Sequence, residues 1–135
     1  MINIIVGSKG TGKTKMILDA ANNAVEVSKG DCVFLTTSAR YGVELKPQLK
    51  VIDATEENIC NKDAAIGFIK GMLASNYDIE YFFIDGFYKI LGAPVNSKES
   101  EEFFAALEKY TDVKFTVTVS CDKADLPAFI AKYQK

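Results

Sequence analysis

Gly7-Ser8-Lys9-Gly10-Thr11-Gly12-Lys13-Thr14 reads G-x-x-x-x-G-K-T, and its two flanks decide what the pattern means. Before it, Ile2, Ile4, Ile5 and Val6 form a short apolar run suited to a buried parallel strand. After it, Lys15-Met16-Ile17-Leu18-Asp19-Ala20-Ala21 continues in helix-forming residues. Strand, glycine loop and helix form the context in which this pattern, Walker A, cradles phosphate. Glycines let the backbone curl so that successive N–H groups point inward, and the helix N-terminus adds free N–H groups and positive partial charge. On this reading Gly7, Ser8, Gly10, Thr11, Gly12, Lys13, Thr14 and Lys15 are the nucleotide-binding residues. Lys13 is expected to reach the β- and γ-phosphates, and the Thr14 hydroxyl to ligate Mg²⁺.

Such a loop demands an acid to hold the metal through water. Phe82-Phe83-Ile84-Asp85 supplies three apolar residues and then Asp at an expected strand end, so Asp85 is the second metal-site candidate after Thr14. The competing reading is a turn cap before Gly86. Gly86 stands where many hydrolytic relatives place a Glu that works on the attacking water. Glu44, Asp53, Glu80, Glu101 and Glu102 are substitutes without a local signature, and Asp53 is better explained as a helix cap. Thr118 and Ser120, at the end of the final strand, resemble the polar group that senses the terminal phosphate in P-loop proteins with an extra strand between the Walker A and Walker B strands; polar residues on a wet strand face explain them equally well. Arg40 is the sole arginine among 16 basic residues, hence the only in-cis arginine-finger candidate, although an ordinary surface role explains it better.

The rest of the chain alternates strand and helix. Strands are expected at Cys32–Leu35, Val51–Ile52, Ile79–Ile84 and Val113–Ser120. A helix is expected from the loop to about Ser28 with Gly30 as its cap, and another up to Ser75, opened by Asp53 and Glu56 in a D-x-x-E relation. Close packing on the sheet would explain Gly67 and Gly71, four apart. Ser97 is expected to cap a third helix, and Leu126–Tyr133 to close the chain as a fourth. The pattern predicts one α/β domain over 1–135, a three-layer sandwich with a mainly parallel central sheet. Val113–Ser120 departs from it: apolar and polar residues alternate where a doubly covered strand reads as continuously apolar. One of its faces is therefore expected to be thinly covered or to meet another subunit.

Composition narrows the partners. Net charge is −2, and the lysines are scattered with no aromatic-basic cluster, which disfavours nucleic acid. No apolar run approaches the length of a membrane span, and no signal peptide is expected before the first strand. Three widely spaced cysteines and no histidine argue against zinc or a disulfide framework and for a reduced, cytoplasmic protein.

With both halves of the site in view, the chain resembles the P-loop NTPase superfamily over nearly its whole length. More narrowly, it resembles short bacterial P-loop proteins known as ATP-binding, through Met1–Gly7, Tyr77–Gly86 and Leu126-Pro127. Gly10 gives the loop a form more similar to RecA-like and motor-type ATPases than to Ras-like GTPases. Twitching-motility motors share the loop, but this chain lacks their histidine-containing boxes. The resemblance implies ATP, or another NTP, together with Mg²⁺. Asp122-Lys123-Ala124-Asp125 resembles the N-K-x-D guanine motif with Asp for Asn, which keeps GTP open through Asp125. The expected function is Mg²⁺-dependent nucleotide binding with slow hydrolysis. The alternative is a non-catalytic nucleotide-binding module or switch that acts with an unidentified protein partner or as a homo-oligomer.

Overall fold

The computed structural model describes residues 1–38 and 44–134. Its elements are β1 (Ile2–Gly7), α1 (Lys13–Val27), β2 (Asp31–Thr36), β3 (Leu49–Asp53), α2 (Lys62–Ser75), β4 (Ile79–Ile84), α3 (Phe87–Leu91), α4 (Lys98–Glu108), β5 (Lys114–Ser120) and α5 (Ala128–Ala131). All five strands pair in parallel in the order β1-β5-β4-β2-β3, with helices on both faces, so the fold is a three-layer α/β sandwich. The last strand in sequence thus lies between the strand that enters the glycine loop and the strand that runs into Asp85.

The layers are unequal. Strand alternation sends Val33, Leu35, Phe82, Ile84, Phe115 and Val117 to one face, where α2, α3, α4 and α5 cover them. Phe87, Phe103 and Phe104 interlock there with ring centroids 5.2–5.9 Å apart, and Tyr133 stacks on Phe104. Burying each such ring contributes about 1.5–3 kcal/mol. The opposite face sends out Phe34 and Phe83 to α1, through Ile17, Leu18, Ala21 and Ala24, and to Leu45. The polar residues of β5 lie on this thinner side: Thr116 is half-buried and Lys114 exposed. The polar residues of β5 thus face the side that α1 covers, where Thr118 is nonetheless buried. Among the described residues no helix is long and apolar enough to cross a membrane.

Several local expectations are corrected. Asp53 does not open α2. Its carboxylate accepts from the Thr55 amide at 2.9 Å in a local turn, and α2 starts later, where the Asn61 side chain accepts from Ala64 N at 2.8 Å. Gly67 and Gly71 do not pack on the sheet: both are exposed, and an added Cβ would touch nothing within 4 Å. Gly30 is no helix cap. It serves close approach, because a Cβ there would lie 2.1 Å from the Asp78 carbonyl oxygen. The closing helix expected over Leu126–Tyr133 shrinks to the short α5, with Pro127 as N-cap, and a 3₁₀ turn at Lys123–Asp125 precedes it. Helix α3 was not expected at all. The Ser97 hydroxyl caps α4 as expected, accepting from Ser100 N at 3.2 Å.

Candidate functional site

A cleft of about 830 Å³ opens at the carboxyl ends of the strands, where open parallel sheets bind ligands. The glycine loop and the start of α1 give it Lys9, Gly10, Gly12, Lys13 and Thr14. Thr118 and Ser120 come from β5, and Asp85 and Gly86 from the end of β4. Thr37 and Ser38 follow β2, while Phe87, Tyr88 and Lys89 belong to α3. A second cleft of about 590 Å³ lies at the opposite pole, beside Lys70, Tyr77 and Lys109. Those three side chains are exposed.

The loop owes its shape to its glycines. Gly10 and Gly12 take φ of 87° and 84°, the left-handed region that L side chains avoid. The Ser8 carbonyl gathers three donors: Thr11 N at 3.3 Å, the Thr11 hydroxyl at 2.7 Å and the Lys13 ammonium at 3.0 Å. Thr11 in turn fills the space beside Gly7, where a Cβ would lie 2.3 Å from Thr11 Oγ1. Gly7, Ser8 and Thr11 therefore shape the loop without lining the cleft. Lys15 points away from it, pairing with Asp19 at 3.3 Å on the exposed side of α1.

α1 differs from its neighbours at its start. α2 and α4 each have a side-chain cap and acids in the first turn: Asp63 in α2, Glu99 and Glu101 in α4. α1 has neither, and Gly12 offers no capping side chain. Among the described residues its first N–H groups thus have no side-chain cap, an arrangement that suits an anion. Lys13, only 9% exposed, adds a nearly buried cation to the same end.

Across the cleft, Asp85 is 8% exposed and Thr118 is 4% exposed. The Thr118 hydroxyl donates to Asp85 Oδ1 at 2.7 Å and accepts a long bond from Gly86 N at 3.4 Å. Asp85 N continues the ladder to the Leu35 carbonyl at 2.9 Å. A carboxylate removed from water with one neutral donor is costly until a cation joins it. Among the described residues no three acidic, cysteine or histidine side chains converge. Asp85 is thus a one-carboxylate site, suited to Mg²⁺ that brings phosphate and water ligands with it. The donor set of Thr14, Asp85 and cleft hydroxyls fits such an ion.

Gly86 has a structural reason to be glycine. Its φ is 89°, and a Cβ there would lie 2.7 Å from Thr37 Oγ1. Among the described residues that line the cleft, Asp85 is the only acid. Glu80 lies at the other end of its strand, accepting from Lys29 N and Gly30 N at 3.1 and 3.2 Å. Glu102 pairs with Lys62. Glu44 and Glu101 are exposed and, like Asp53, do not line the cleft. Arg40 lies outside the described residues. Asp122 and Asp125 are exposed beside the 3₁₀ turn and do not line the cleft. Burial, with Asp125 and Asp122 nearby, pushes the Cys121 thiol up, so it stays protonated at neutral pH.

The sequence missed Tyr88 and Lys89, exposed on the wall formed by α3. No periodic signal marks so short a helix, although a glycine straight after a strand-end Asp was a hint of a tight turn. No protein-family model matches the chain, and no curated protein is significantly similar to it.

Proposed function

We propose that this protein binds a nucleoside triphosphate with Mg²⁺, ATP by preference, and hydrolyses it slowly. One observation carries the reading: the uncapped start of α1, with Gly10, Gly12 and the nearly buried Lys13, faces the same cleft as the buried Asp85. The first group suits phosphate and the second suits the metal that accompanies it. The position of β5 between β1 and β4 supports it further, since it brings Thr118 and Ser120 between the two halves. The preference for adenine rests on the form of the loop and the resemblance it carries.

In this reading Lys13 and the loop amides hold the phosphates, while Thr14 and Asp85 would hold Mg²⁺. The ion, when bound, offsets charge on the phosphate oxygens. Slow turnover follows from position 86. A glutamate there would need a left-handed backbone and the space that Thr37 fills, so the usual helper for water is missing. The protein is better suited to holding a triphosphate than to consuming it. The same proposal places it in the reducing cytoplasm, in keeping with the free thiols of Cys32, Cys60 and Cys121.

Calorimetry with MgATP on the wild type and on Lys13→Ala tests the binding. Losing a charge-assisted hydrogen bond of about 1.5–3 kcal/mol weakens binding roughly 10- to 100-fold. Equal affinities would overturn the site. Phosphate release faster than about 1 s⁻¹, the lower end for ordinary enzymes, would overturn the slow-turnover reading.

A further inference from the structure

Thr118 and Ser120 are equivalent in the sequence, two hydroxyls on one face of one strand, yet the fold separates them. Thr118 is 4% exposed and Ser120 is exposed. A hydroxyl has a single proton to give. That of Thr118 goes to Asp85 Oδ1 at 2.7 Å, while the Thr118 hydroxyl oxygen accepts a long bond from the amide of Gly86 at 3.4 Å. Thr118 therefore has no proton left for a phosphate oxygen. Its strand is held on both sides, by β1 through Ile5 opposite Thr118 and by β4 through Ile84 opposite Val117. Its β-branched side chain is stiff at χ1.

We infer that Thr118 is a positioning residue that fixes the Asp85 carboxylate for the metal, and that Ser120 is the β5 hydroxyl that meets the nucleotide. The inference rests on the nucleotide reading above and assigns separate work to two residues of that site. Without the Thr118 hydroxyl, the carboxylate keeps its burial and loses its only side-chain donor among the described residues. It is then free to turn away from the metal. Without the Ser120 hydroxyl, a direct contact is lost whether or not the metal is present.

The test is ATP binding by calorimetry, in Mg²⁺ and again in EDTA, for the wild type, Thr118→Val, Thr118→Ser and Ser120→Ala. In the wild type, Mg²⁺ tightens binding. Thr118→Val, nearly isosteric, is expected to lose about tenfold of the Mg²⁺-supported affinity while its affinity in EDTA stays within about twofold. Thr118→Ser restores the hydroxyl and most of the Mg²⁺ effect. Ser120→Ala weakens binding by the same factor in both conditions. Equal weakening of Thr118→Val in Mg²⁺ and EDTA, or an intact Mg²⁺ effect in that variant, would overturn the positioning role. A Mg²⁺-selective loss in Ser120→Ala would reverse the assignment. A wild type that binds no ATP in either condition would instead sink the nucleotide reading itself.

Discussion

On the face covered by α2, α3, α4 and α5, the buried side chains are apolar apart from Ser100; on the α1 side and at its cleft, Lys13, Thr36, Asp85 and Thr118 are buried too. The same five strands serve both faces, so sheet geometry cannot explain the contrast. Coverage does. Several helices exclude water along the full length of the strands and leave no role for a polar group. One helix crossing the other face leaves the carboxyl ends open, and the chain fills that opening with groups that are costly to desolvate unless a ligand meets them. The first face should carry stability and the second chemistry, and substitutions on each can show whether the two are separable.

The largest effect is expected on the many-helix face. Phe104 is 1% exposed and touches Phe87, Phe103 and Tyr133. Phe104→Ala should cost about 3–5 kcal/mol in chemical denaturation and leave ATP affinity per folded molecule within about twofold. A comparable loss of affinity would mean that the faces are not independent. Asp85→Asn probes the other face. Mg²⁺-supported ATP affinity should fall about 10- to 100-fold, while the ligand-free protein melts no lower than wild type, because a buried charge has been removed. A clear drop in melting temperature would make Asp85 a structural residue and blur the contrast.

The smallest effect concerns the outer rim of the many-helix face. The hydrogen bond from Tyr133, helped by Lys132, holds the Glu108 carboxyl below the usual carboxylate range. A depressed folded value means stabilisation that is present above the unfolded pKa, about 4.3, and lost as pH falls through the folded value. Tyr133→Phe keeps the ring on Phe104 and removes the hydroxyl. The melting-temperature gap between wild type and this variant should be small at pH 6 and close as the pH approaches 3. A gap that stays constant over that range would show that the pair contributes nothing.

What was legible in the sequence was local. The glycine loop announces itself because backbone curvature demands glycines at fixed spacing, and Gly10 and Gly12 adopt the left-handed φ that this requires. The carboxyl end of β4 is legible because Tyr81-Phe82-Phe83-Ile84 is an apolar run that stops at Asp85. The start of α2 was misplaced because Asp53 had two local uses, helix cap or turn, and the turn with Thr55 won. The Thr118–Asp85 pair was out of reach, since it depends on strand order rather than on any pattern within either segment. Gly86 was noticed for the Glu it displaces. Its reason, the side chain of Thr37 from the turn after β2, appears only in three dimensions.

Among the described residues β1 lies at the edge of the sheet and pairs with β5 alone, Ile2 opposite Phe115 through Gly7 opposite Ser120. The strand that is synthesised first among the five therefore waits for the one synthesised last. A nascent chain emerging from the ribosome carries its whole glycine loop early but has no strand to moor it until β5 is out. Such long-range pairing is slow to form. On the proposed function, a chain interrupted before β5 would display the loop without the strand that moors it.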